Sequence, residues 1–452
     1  MVANTNQMSP RKVDLTTGSL GRHLVRMTIP MTWGILAIIS FQLVNTYWVS
    51  KLGTFDLAAM TFTQPISFAI FSVFLGFGIA MSSVVSRLLG AGQFDDVKRV
   101  TSHGLIIVFI ASLLVAILGH AFMHPLFSLL GADDVMINRI DDYMTLYWWG
   151  TFFICMPIVA NSALRAGGEA VIPAIVMTVA AIANAIIDPI LIFGLYGFPR
   201  LELQGAAISN IIANAAAMCV SLTLMFKRQM ISFEHLKNLS LFKDSAKRLL
   251  VIALPAGLTN MLPSIYNSVV IAILTTSGAA SVAAYGVVNR IEAFAFVILI
   301  GLAAGMTPIL GQNFGAKNFD RVRQTMNKVL YFCFIYAVIM GATLTFGAHT
   351  FASIFSDDKA VQEIIILYFT IITFCFPFAF VVNGWASAFN AFGKPQIAVA
   401  ILFSKTILVM IPAAFIGHSI AGVTGTFWAI AIAHTITGTI IHLYASRVLK
   451  AL

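Results

Sequence analysis

Residues 171–194, VIPAIVMTVAAIANAIIDPILIFG, read as a single membrane-crossing helix with one acid inside it. A helical crossing needs about 20 mostly apolar residues, and this run supplies that length with Asp188 as its only charge. A carboxylate at the centre of a bilayer costs roughly 2.5–3.5 kcal/mol on insertion scales, so it persists mostly where it faces a cavity or handles an ion. Asn184 lies four residues earlier, so its amide shares a helix face with the acid. Pro189 has no N–H, which leaves the Ala185 carbonyl without its helical partner and allows the helix to bend there. Two readings remain open: a structural acid that satisfies a neighbouring helix, and a cation or proton site built from these oxygens.

The rest of the chain is of the same kind. Of 452 residues, 59% are hydrophobic and only 10% are charged, with mean hydropathy +0.92. That composition is polytopic membrane protein. Twelve crossings are expected, starting near residues 28, 57, 102, 142, 171, 204, 249, 281, 327, 361, 397 and 421. Strands of an outer-membrane barrel would alternate apolar and polar over about ten residues, so these longer apolar runs predict an all-α protein.

The net charge of +9 is a topology signal. With the N-terminus inside, 21 of the 27 Lys and Arg fall on one side, Arg11, Lys12 and Lys237 among them. The positive-inside rule then places both termini in the cytoplasm, and no nucleic-acid partner is needed to explain the charge. The polar N-terminal tail carries no signal-peptide h-region, so the first span is expected to direct insertion. Cys155, Cys219, Cys333 and Cys375 are scattered singly and read as core residues.

The chain also repeats. Gly90-Ala-Gly-Gln-Phe94-Asp-Asp-Val97 and Gly315-Ala-Lys-Asn-Phe319-Asp-Arg-Val322 share their glycine, phenylalanine and valine at an offset of 225. The same offset pairs Pro30 with Pro255, Gly53 with Gly278, Gly76 with Gly301, Met81 with Met306, His124 with His349 and Gly168 with Gly393. The expected organisation is therefore a tail (1–27), a six-helix lobe (28–226), a basic cytoplasmic linker (227–246) and a second six-helix lobe (247–452). Six crossings is an even number, so the lobes form a parallel repeat about an axis along the membrane normal, with substrate between them.

The halves differ in their polar residues. At the offset of 225, Asn184 and Asp188 become Val409 and Ala413, which assigns ion handling to the first lobe. The second lobe offers Arg290, Glu292, Asn383 and Lys405, and the first span adds Gln42. These five are candidate cavity residues. Arg290 and Glu292, two apart, do not face each other on a helix, so each needs another partner. They read equally as a structural ion-pair network or as substrate lining. Lys405 reads as neutral, snorkelling or paired. No phosphate-binding loop and no His or Cys metal pair is present, so neither ATPase nor metal chemistry, nor any enzyme activity, is expected.

These motifs carry a resemblance. The runs Asn45-Thr-Tyr-Trp-Val-Ser-Lys-Leu-Gly53, Gly90-Ala-Gly, Asn184-Ala-Ile-Ile-Asp188-Pro189, Arg290-Ile-Glu292 and Gly311-Gln-Asn-Phe-Gly315-Ala316, with the doubled six-helix pattern, resemble the multidrug and toxic compound extrusion (MATE) family, prokaryotic type. The resemblance implies two six-helix bundles around a cleft. It also implies a monomeric antiporter that exports drug-like organic cations in exchange for H+ or Na+ by alternating access, with no other cofactor. On that resemblance Asp188 and Asn184 are the fifth-span acid and amide of a cation site, which also leaves Na+ at Asp188 and Asn184 open. Asn210 stands where relatives carry a sixth-span hydroxyl, and Asn45 stands where most carry an aspartate. Asn45 cannot exchange a proton, which leaves Asp188 as the one acid of that lobe's cavity. The rival readings are a lipid-linked saccharide flippase of related architecture and a membrane receptor that translocates nothing.

Overall fold

The computed structural model describes residues 14–232, Glu234 and residues 239–451. Arg11 and Lys12 of the tail, and Lys237 of the linker, lie outside the described residues. Among the described residues every regular element is helical. The first half contributes α1 (Leu20–Ser50), α2 (Thr54–Gly90), α3 (Phe94–Ala121), a short α4 (Met123–Leu129), α5 (Asp134–Ala166), α6 (Val171–Phe193) and α7 (Glu202–Lys227). The second contributes α8 (Leu239–Thr275), α9 (Ala279–Ala295), α10 (Val297–Gly315), α11 (Phe319–Phe346), α12 (Ala348–Phe355), α13 (Lys359–Ile372), α14 (Phe376–Ala391), α15 (Pro395–Phe403) and α16 (Ile411–Lys450).

The helix ends repeat with the sequence. Both ends of α11 fall 225 residues after those of α3; α9 begins and α10 ends 225 after the ends of α2; α13 begins and α14 ends 225 after those of α5. The second half is the more interrupted copy. Its counterpart of α5 passes through a 3-10 turn at Thr373–Cys375, and α15 enters α16 through a π-helical turn at Ser404–Met410.

The last apolar stretch, Pro395–Lys450, is 56 residues long. As one rod it would measure about 80 Å, far more than a bilayer core of about 30 Å. It breaks at Ala421 and Gly422, where φ of 57° at Gly422 suits only glycine. Its arms then pack back on each other: a Cβ on Gly417 would lie 2.8 Å from the Gly425 carbonyl carbon, and one on Gly425 would lie 2.9 Å from that of Gly417. With that hairpin the described residues make twelve crossings.

Each helix shows why it suits a bilayer. On α6, Ile175, Val179, Ile182 and Ile186 are all more than half exposed and lie on one face at spacings of four and three. Asn184 and Asp188 are buried on the other. An apolar stripe that meets no protein is a lipid-facing surface, so the polar pair points into the lobe. Phe74, Phe127, Ile137 and Ile140 fill the first lobe's core, and Trp385, Phe389, Phe369 and Phe427 fill the second's.

The lobes meet through paired contacts that obey the repeat. A Cβ on Gly76 would lie 2.8 Å from the Gly257 Cα, and one on its copy Gly301 would lie 3.0 Å from the Thr32 Cα. Gly90 at the end of α2 abuts Gln312 of α10, and its copy Gly315 abuts Arg87 of α2; each added Cβ would come within 3 Å of backbone. The Gly90–Gln312 and Gly315–Arg87 contacts lie at the ends of α2 and α10 on the side of the chain termini, and the Gly76–Gly257 and Gly301–Thr32 contacts lie nearer the middle of the spans. The lobes are closed against each other where α2 and α10 end, at Gly90 and Gly315.

At the opposite end, Arg139 of α5 pairs with Asp56 at the start of α2, with Asp142 (2.9 Å) and with Glu202 at the start of α7. Glu202 holds a positive φ of 50°. Removing Arg139 leaves Asp56 and Asp142 without a cation and Glu202 with only the longer contact to the exposed Arg200 (3.4 Å), so the three carboxylates repel each other. Arg139→Ala is expected to cost about 2 kcal/mol, discounted for partial exposure, and to lower the melting temperature in detergent by several degrees. An unchanged melting curve would contradict this.

Candidate functional site

Four helices converge on Asp188, which is fully buried. Its Oδ2 accepts a hydrogen bond from Asn45 Nδ2 of α1 at 2.8 Å, and its Oδ1 accepts one from the Ser209 hydroxyl of α7. Gly205 explains the reach of Ser209. A Cβ there would lie 2.7 Å from the Leu191 carbonyl, so α7 approaches α6 closely, and Ser209 sits one turn further on the same face. Tyr143 of α5 lies within electrostatic reach of Asp188 and against Asn210. The helix α6 runs unbroken through Pro189.

No Lys or Arg among the described residues forms an ion pair with Asp188. The charge is met by uncharged donors alone. The Ser209 hydroxyl is also 3.0 Å from the Ala206 carbonyl and has a single proton to give. With Asp188 ionised, Ser209 donates to the carboxylate. With Asp188 protonated, the acid donates to Ser209, which then donates to Ala206. One turn below, the Asn184 Oδ1 is buried and meets no donor. A buried acceptor without a donor is costly, so it is a natural place for a proton or cation to be met.

The structure sets Asn45 on the Asp188 carboxylate and Asn184 one turn away on the same helix, and from the sixth span it is Ser209 that reaches the carboxylate directly. Asn210 contacts Asn214, whose Nδ2 is 2.6 Å from the Asn210 Oδ1, and the hydroxyl at Asp188 is Ser209. One residue rotates a helical side chain by about 100°, enough to take Asn210 off the carboxylate and set it against Tyr143. The sequence held a signal for this: Gly205, Ser209 and Ala213, four apart, are the small residues of a close helix face.

The other candidates do not join this site. Gln42 is exposed on α1, Arg290 is exposed on α9, and Asn383 is exposed on α14 beside a small pocket lined by Leu299, Met306 and Phe380. Glu292 turns into the second lobe, where its Oε1 accepts the Tyr368 hydroxyl at 2.8 Å. Lys405 lies on the π-helical turn and is 9% exposed, so it does not snorkel. Neither Arg290 nor Lys405 makes an ion pair among the described residues.

The doubled pattern recurs in known proteins. The MatE family matches residues 30–190 and 255–416, again two segments whose starts are 225 apart. The chain belongs to the MATE family of transporters. It is 33% identical over 434 residues to the FAD transporter of Shewanella oneidensis, covering 96% of each chain. It is 29% identical to the multidrug export protein MepA of Staphylococcus haemolyticus, over 92% of this chain and 91% of that one. Its fold superposes on the Vibrio cholerae MATE transporter VcmN in the bent form with a TM-score of 0.91, at 29% identity over 97% and 99% of the two chains. An outward-facing MATE transporter of the MOP superfamily gives 0.90 at 22% identity, which speaks to fold alone. The twelve-helix, two-lobe architecture expected for a MATE transporter is therefore present, and the protein is a membrane transporter of small molecules, not an enzyme.

Proposed function

We propose that this transporter is a proton-coupled exporter of the bacterial cytoplasmic membrane, with both termini inside, in which Asp188 carries the coupling proton. The observation that supports this most is the pair of uncharged donors on a buried carboxyl, with a serine hydroxyl that suits both protonation states. Donors on both oxygens favour a proton over Na+, which would need those oxygens free as ligands. On the positive-inside orientation the sealed end is cytoplasmic and the cleft opens outward. In that state Asp188 takes a proton from outside, the lobes rock, and the proton leaves inside as substrate is taken up for export. One chain carries both lobes and the cleft, so the working unit is a monomer.

Two substrate readings rest on different observations. The MepA relatives favour drug-like organic cations. The greater likeness to a FAD transporter favours a flavin dinucleotide, and so does the charge of the spans. Among the described residues, the carboxylates away from the helix ends, Asp188 and Glu292, are turned into the lobes, whereas Arg290 is exposed and free to meet a pyrophosphate. Proteoliposomes loaded with FAD or with a fluorescent organic cation, under separate pH and sodium gradients, decide between them. We expect pH-driven FAD release that falls about tenfold in Arg290→Ala, the loss of one charge-assisted contact. Organic-cation release untouched by Arg290→Ala, with no FAD movement, would return the assignment to multidrug export. Release driven only by sodium would remove the proton from Asp188.

A further inference from the structure

The motif Gly311-Gln-Asn-Phe-Gly315 takes no part in the site at Asp188, yet it is the most heavily bonded segment of the sealed end. Gln312 and Asn313 are fully buried. The Gln312 amide donates to the Ala166 carbonyl at the end of α5, which ties the second lobe to the first. Its Oε1 accepts from the Leu15 backbone N–H at 3.1 Å, and the Asn313 amide donates to the Leu15 carbonyl at 3.1 Å. Both backbone groups of Leu15 are therefore held by side chains nearly 300 residues away.

The segment around Leu15 is shaped for this. Asp14 Oδ1 accepts from the Thr16 N–H at 2.8 Å and from its hydroxyl at 2.6 Å, which fixes a turn. Arg321 of α11 then donates to the carbonyls of Thr17 (3.2 Å) and Gly18 (3.0 Å) while its Nε meets Asn313. The Leu15 side chain is 1% exposed and packs into the second lobe's core. On its other side the segment stays with the first lobe, because Thr17 meets His23 of α1 at 2.7 Å and the chain runs directly into α1.

The repeat supplies a cross-lobe contact on each side of the pseudo-axis. Arg87, the counterpart of Gln312, lies over Gly393 of the second lobe, where a Cβ would be 2.8 Å from its Nη2. The N-terminal segment is added to the Gln312 side, outside the repeated register. We infer that residues 14–19 are a latch: a strap of the first lobe clipped onto Gln312, Asn313 and Arg321 of the second, which must release before the lobes part at this end. The strap holds the protein open at the opposite end, and its release gates the return step of the cycle. This rests on the reading that the lobes rock in alternating access.

The test uses the full chain with spin labels on Asp95→Cys and Asp320→Cys, exposed positions 225 apart on the two lobes at the sealed end, in a Cys219→Ser background. The parent is expected to show one short distance. Leu15→Asp and Arg321→Ala are each expected to raise a longer-distance population at least tenfold, with Leu15→Met resembling the parent. Arg321 touches the strap through exposed backbone, so Arg321→Ala decides the matter even if Leu15→Asp fails to fold. A wedge control, Gly90→Leu, pries the same end apart. If the wedge lengthens the distance and Arg321→Ala does not, the strap is no latch. If neither does, the lobes do not separate here and alternating access itself is wrong.

Discussion

Asp188→Asn is expected to abolish gradient-driven export, by about a hundredfold or more, while the protein folds at least as well as the parent. The side chain keeps its shape. Its amide can donate to Ser209, whose hydroxyl turns to the Ala206 carbonyl, and its oxygen still accepts from Asn45. Because a buried charge without a cationic partner is replaced by a neutral group with satisfied bonds, the melting temperature should hold or rise. What disappears is the one carboxyl group of that cluster able to gain and lose a proton. A charge moving through 100 mV is worth about 2.3 kcal/mol, roughly a fortyfold gradient, and the variant has no means to use it. A variant that transports like the parent would remove Asp188 from the coupling mechanism. One that merely unfolds would show Asp188 to be structural.

The second large effect is expected at a residue with no polar chemistry. Gly90→Leu places a side chain where backbone of α10 already sits, since even a Cβ would be 2.8 Å from the Gln312 Cα. Overpacking of this kind costs typically 1–3 kcal/mol, and here the cost falls only on the sealed state. The equilibrium between sealed and open ends should shift ten- to a hundredfold. Export should fall at least tenfold, and a cysteine near Arg87 should become reactive to a membrane-impermeant reagent from that side. Gly315→Leu, its counterpart, should do the same through Arg87. Normal transport with an unreactive cysteine would show that the seal has slack at this point.

Much of this architecture was written in the register of the repeat. An offset of 225 that holds without gaps leaves no freedom in the pairing of helices, so α3 and α11 coincide at both ends. Asp188 and Asn184 were legible because charge in a 24-residue apolar run has few explanations. Three features were not legible, each for a physical reason. Ser209 and Asn210 are neighbours in sequence, and which of them faces Asp188 depends on the rotation of α7 set by Gly205 against Leu191. Gly90 and Gly315 were legible only as a repeated pair, and their partners across the lobe boundary are Gln312 and Arg87, contacts between segments more than 200 residues apart. The Thr373–Cys375 and Ser404–Met410 irregularities carry no glycine or proline themselves; Pro377 and Pro412 just beyond them free the carbonyls of Thr373 and Leu408, a cue too weak to tell a 3-10 turn from a π-helical one.

Lys405 and Glu292 show a similar limit. Both were expected as candidate cavity residues, and both are turned into the second lobe, with Tyr368 capping the acid. Sequence identified them as costly residues in a bilayer but could not tell lobe interior from cleft, because both environments hide a charge from lipid.

The most direct test of the central claim is proton movement itself. Purified protein in liposomes carrying an internal pH dye is given its substrate with no imposed gradient, and the internal pH is followed for the parent and for Asp188→Asn. The account predicts a substrate-dependent proton flux opposite in direction to the substrate, present in the parent and absent in the variant. Substrate movement without any proton flux, or a flux that survives in Asp188→Asn, would contradict it.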